Sequence, residues 1–131
     1  MWFVTIPIVA WMVCGTLKFM VNFTHHRYDA IRRVGHGGFP SNHTAVVSSV
    51  MWFLVLAKEW RVAGLAMAVL MICVFDATGL RREVGRHAAA LNRVTGSRLR
   101  EIMGHSCLDI AGGLVVGFGI ALAYWSVGGR P

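Results

Sequence analysis

Four apolar stretches, at about 2–17, 40–60, 62–80 and 109–127, fill most of a chain of only 131 residues. A bilayer core about 30 Å thick is crossed by a helix of about 20 mostly apolar residues. The second stretch has just 13 wholly nonionisable residues, from Ala45 to Ala57. It reaches spanning length if its helix starts near Pro40 and ends at Trp60, with Lys58 and Trp60 anchoring at the interface. A soluble domain of this size buries too small a share of its surface to hide four such runs. With 56% hydrophobic and 15% charged residues and a mean hydropathy of +0.58, the chain is neither disordered nor an ordinary soluble domain. The expected fold is all-α: one integral membrane domain over 1–131, a polytopic bundle of about four transmembrane helices. The first stretch opens on Trp2-Phe3-Val4 without a basic leader and ends at Lys18. It therefore reads as a retained helix, not as a cleaved signal.

The formal charge of +7 would suit nucleic acid in a soluble chain. In a membrane protein the same charge marks headgroups, phosphates or topology, and no nucleic acid partner is expected. Cys14, Cys73 and Cys107 form no C-x-x-C pair. Zinc on Cys107 and His105 would lack two ligands, so no metal and no cofactor is expected.

Four spans place loops 18–43 and 81–109 on one membrane face and the 58–61 turn on the other. Nearly every residue with chemical potential falls in the two loops that share a face. In the first, Gly35, Gly37 and Gly38 precede Pro40, Ser41 and Asn42, a glycine-rich turn feeding a helix start. Free amides there make an anion cradle, although the same pattern also serves a simple capped turn. In the second, His105 and Asp109 lie four residues apart, on one face if a helix begins there. Asp109 can then hold the imidazole in one orientation, as suits a nucleophile; a helix-start acid beside an exposed histidine is the plainer reading. Asp76, near the end of the third stretch, needs a cationic partner such as Lys18, Arg81 or Arg82. These cations serve equally as topology signals or as oxyanion ligands. Gly113 and Gly117 form a G-x-x-x-G step suited to close helix packing.

Together, Gly37-Gly38-Phe39-Pro40-Ser41-Asn42-His43, Asp76 through Arg82, and Gly104-His105 through Asp109-Ile110-Ala111-Gly112 resemble motifs of a known family. It is the divergent branch of the type 2 phosphatidic acid phosphatase superfamily, related to acid phosphatases and vanadium-dependent haloperoxidases. The resemblance covers roughly residues 14 to 120. It implies metal-independent phosphoryl transfer from a lipid phosphate or diphosphate through a phosphohistidine. His105 resembles the nucleophile, Asp109 its orienting carboxylate and His43 the donor to the leaving oxygen. Lys18 and Arg81 or Arg82 would bind phosphate oxygens, helped by Ser41, Asn42, Gly38 and neighbouring amides, with Asp76 in support. Asn42 stands where the main superfamily has glycine, and Tyr28 follows Arg27 where that superfamily has proline. His87 is spaced closer to Arg81, but Leu91 stands where its acid would be, so His105 is favoured and 83–104 reads as an insertion.

His25, His26 and His36 read as interfacial polar residues, and Arg86, Arg93, Arg98 and Arg100 as a headgroup-facing surface. Glu83, Asn92 and Glu101 read as caps or braces of the short helices of that loop. Ten of the thirteen basic residues lie in the two site-bearing loops, which points to the cytoplasmic side of a bacterial inner membrane. Expected partners are a membrane lipid substrate and a second copy in a homodimer. The alternative is a catalytically inactive membrane protein of the same fold that binds anionic lipid or partner proteins.

Overall fold

The computed structural model describes residues 2–25 and 38–128. The expectations for His26, Arg27, Tyr28, Arg32, Arg33, Gly35, His36 and Gly37, and for the side chain of His25, lie outside the described residues. The molecule is a helical bundle. After a short 3-10 turn at Trp2–Val4 come α1 (Thr5–His25), α2 (Asn42–Leu56), α3 (Trp60–Phe75), α4 (Arg81–Thr95) and α5 (Cys107–Val127). Among the described residues, three helical stretches are long and apolar enough to cross a membrane: Thr5–Thr24, Trp60–Thr95 and Cys107–Val127. The fourth, α2, has 15 residues, a rise of about 22 Å.

The helices depart from the apolar stretches in three places, each for a local reason. Helix α1 continues through Lys18 because that side chain turns into the bundle, where it is 5% exposed. Helix α2 starts at Asn42 because Ser41 caps it, and it stops at Leu56, before a turn with Lys58 at φ 60°. Helix α3 does not end at Leu80. A single wider π turn, Asp76–Leu80, carries it directly into α4, making one continuous helix from Trp60 to Thr95. Helix α4 stops at Gly96, whose φ of 67° suits glycine.

Helix α2 packs against α5, α3 and α1, and its seam with α5 is the tightest in the bundle. A Cβ on Gly113 would sit 2.6 Å from the Ser41 carbonyl and 2.8 Å from Thr44 Cβ; one on Gly117 would overlap Ser48 Oγ. These two glycines, with Gly112 under the Phe39 ring, let the α5 backbone reach α2. Toward the other end of the bundle Ile6, Ala10 and Ile120 form a core, flanked by Val50, Phe53 and Tyr124. There Tyr124 donates to Thr5 Oγ1 at 3.0 Å, and Phe3 meets Phe53 edge to face.

Candidate functional site

Lys18 on α1, the α2 start, the π turn and the segment entering α5 all meet at one end of the bundle. The Ser41 amide donates to the Asp109 carbonyl at 2.9 Å, which ties the two helix starts together. Ser41 is fully buried; its Oγ accepts from the Thr44 amide and from Thr44 Oγ1 at 3.0 Å. Its hydroxyl is thus the α2 cap, one of the two readings its position allowed. Gly38 has φ 127°, a conformation suited to glycine, and a Cβ there would lie 3.8 Å from Lys18 Cε. The Lys18 stem therefore lies beside Gly38. Asn42 approaches Gly15 on α1, and its Oδ1 is buried without a hydrogen-bond partner.

The two histidines meet across the α2–α5 junction. Their ring centroids are 6.5 Å apart with the planes at 78°. His43 is exposed, whereas His105 is 9% exposed and both its ring nitrogens are buried without a hydrogen-bond partner. Burial pushes the His105 imidazole below its ordinary value of 6.5; the charge of Lys18 adds to this and Asp109 opposes it. At neutral pH His105 is therefore a neutral base with a free lone pair.

Asp109 reaches His105 electrostatically, but its carboxylate is engaged elsewhere. Its Oδ2 accepts from the Ser106 amide at 2.7 Å, while Ser106 Oγ accepts from the Asp109 amide at 3.2 Å. This reciprocal capping box starts α5. Asp76 pairs with Arg81 through Nε, as its depth demanded. The structure also separates the two arginines. Arg81 is within electrostatic reach of both histidines, whereas Arg82 is exposed and lays its stem beside Gly104.

Among the described residues, no group of three or more His, Cys, Asp or Glu could hold a metal ion. Two participants escaped the sequence. Arg100 comes within electrostatic reach of Lys18, and the Ala77 carbonyl accepts from the His105 amide at 3.1 Å. Gly104, immediately before His105, was the available signal for the second. Asn92 braces the return segment as expected, bonding Leu99 through both amide groups and Glu101 Oε1 at 2.7 Å. Glu83 pairs with Arg86 on the exposed face of α4, and His87 is exposed there too.

The chain as a whole is similar to known sequences. The chain is 25% identical to the uncharacterized membrane protein YuiD of Bacillus subtilis (strain 168), across 68% of this chain and 72% of YuiD. No solved structure matches it. Residues 2–120, which hold every described element of the site, match the family described as the Divergent PAP2 family. This membrane protein belongs to the divergent PAP2 family.

Proposed function

We propose that this protein is a metal-independent phosphatase that hydrolyses a lipid phosphate or diphosphate through a phosphohistidine on His105. The observation that carries the reading is the meeting of His43 and His105, 6.5 Å apart, beside a lysine that the bundle buries to 5% exposure. A buried ammonium needs an anion, and a neutral imidazole with no other partner is free to attack one.

In this mechanism Lys18 and Arg81 stabilise the equatorial oxygens, together with the Asn42 and His43 amides at the α2 start. Arg81 exchanges its Asp76 contact for a phosphate oxygen. A ring nitrogen of His105 donates its lone pair to phosphorus as the bond to the leaving oxygen breaks. The bound anion favours the charged form of His43, which then gives that oxygen its proton. Water then attacks the phosphohistidine, His43 takes the water proton, and the P–N bond breaks to return neutral His105. The exposure of His43 suits its exchange of protons with solvent. Asp109 acts through the capping box, by holding the helix start from which His105 projects.

A lipid substrate is supported by what lies beneath His43. An apolar cavity of about 300 Å³ is lined by Val46, Val47, Val50 and Leu54 of α2, with Pro7 of α1 and Val69 of α3 among its other walls. These α2 residues follow His43 at helical spacing, so a chain lying there hangs from the site toward the bilayer interior. The charge distribution favours the cytoplasmic leaflet for this end of the bundle.

The test is phosphate release from a panel of lipid phosphates and diphosphates with EDTA present. Wild type releases phosphate and His105→Ala does not, with its thermal midpoint retained. Release at the wild-type rate by that variant rejects His105 as nucleophile. A second reading, a noncatalytic protein binding anionic lipid on the same fold, draws on the commitment of Asp109 to the capping box. It is the outcome if no lipid in the panel is hydrolysed while anionic vesicles still bind.

A further inference from the structure

The backbone of His105 is held by a group that an ordinary α-helix would not offer. In the Asp76–Leu80 turn the Arg81 amide donates to the Asp76 carbonyl, five residues back. In an α-helix that amide would close on Ala77 instead. The wider turn therefore releases the Ala77 carbonyl from the helix ladder, and the His105 amide donates to it at 3.1 Å. Gly104 makes the approach possible. A Cβ there would stand 2.7 Å from the Ala77 oxygen and 2.9 Å from Arg82 Cγ, and its φ of 88° lies where side chains are disfavoured. The same turn sets Arg81. Residues five apart in an α-helix diverge by about 140°, whereas in a π turn they come round to one side. Arg81 and Asp76, five apart, pair here.

We infer that the π turn is a positioning element for the site, with the carbonyl of Ala77 as the positioning group that fixes His105 opposite His43. One extra residue in the α3–α4 helix thus places both the imidazole and the arginine. The consequence for turnover rests on the reading of His105 as nucleophile; the backbone contact does not.

The full chain in lipid nanodiscs tests this with two variants. The first deletes Gly79, which is exposed and has open space around its Cβ position. Deletion converts the turn to α-helix: Arg82 then satisfies Ala77, while Asp76 and Arg81, now four apart, can still pair. The second, Gly104→Ala, drives the 104–105 backbone off the Ala77 carbonyl and leaves the π turn intact. Amide hydrogen exchange at His105 should accelerate on the order of tenfold or more in both variants, the size expected for losing one buried hydrogen bond. Exchange within Val46–Val50 of α2 should stay as in wild type, and vanadate binding should weaken in both. Unchanged exchange at His105 in the folded variants overturns the inference. If the deletion does not fold, Gly104→Ala decides alone. Failure of wild type to hydrolyse any lipid phosphate would bear on the proposed function only, since the exchange readout needs no turnover.

Discussion

Replacing Lys18 with methionine separates what the buried ammonium does for the fold from what it does for the site. Lys18 is 5% exposed, its stem lies beside Gly38, and its charge reaches His105. Methionine has a similar length and no charge, so the packing is preserved and the cost of keeping an ammonium out of water is removed. The thermal midpoint should therefore stay level or rise. Anion binding should move the opposite way. A hydrogen bond to a charged group contributes about 1.5–3 kcal/mol, which corresponds to about 10- to 150-fold in affinity. Vanadate, a mimic of the phosphoryl transition state, is the probe, and its dissociation constant in detergent follows from the concentration dependence of thermal protection. The same variant should shift His105 upward, toward its ordinary 6.5, because one of the charges opposing its protonation is gone. That shift is read from the ring resonances across a pH series. Lys58→Met, an exposed lysine at the far end of the bundle, should change neither quantity. A Lys18→Met protein that folds, binds vanadate within about twofold of wild type and leaves the His105 titration unmoved would refute the argument.

Two further outcomes follow from the seam and from the buried histidine. Gly117→Val should lower stability by about 1–3 kcal/mol, because its side chain must displace Ser48 and the α2 backbone, whereas Gly119→Val, with open space around its Cβ position, should be near neutral; thermal midpoints of the pair check this. Stability should also fall on acidification: His105 is held below 6.5 when folded, so the unfolded chain takes up a proton that the folded one refuses. Its contribution is complete above that pH and is lost as pH drops toward the folded value; the fall should be shallower in His105→Gln.

Apolar length gave away the helical bundle, because a hydrophobic run of that size has few other destinations. Helix α4 was hidden for the converse reason. Its residues are mostly charged or small, so it left no apolar signature, and it read as short helices within a loop or insertion. Its pattern was nonetheless present: Gly85 lies against the 101–103 segment, and Ala88, three residues on, is buried as well. The Ser106–Asp109 spacing carried two meanings at once. Serine with an acid three residues on is a capping signature, and His105 with that acid four residues on is an orienting one. The structure uses the carboxylate for the cap, its Oδ2 accepting from the Ser106 amide. Which of Arg81 and Arg82 faces the histidines was not legible, because it depends on one π turn that shifts the phase of everything after it.

The accuracy of the site follows from the seam below it. His43 rides on the first turn of α2 and His105 on the entry to α5, so the separation of their rings is set by how closely those two helices lie. Gly113 and Gly117 fix that closeness along the helices, and the Ser41–Asp109 backbone bond repeats it at the site itself. Widening the seam would therefore move the histidines apart without touching either one. This explains why so small a bundle can hold two groups from distant parts of the chain in register. The polar residues need no rigid loop of their own, because each projects within two residues of a helix start whose position the packing already determines. Lys18 completes the arrangement from a third helix. Its stem lies beside Gly38, whose φ of 127° favours glycine and where a Cβ would make ordinary contact with Lys18 Cε at 3.8 Å. Any variant that loosens the seam should thus lose anion affinity before it loses the fold, since the remaining apolar contacts near Ile6, Ala10 and Ile120 lie toward the other end of the bundle.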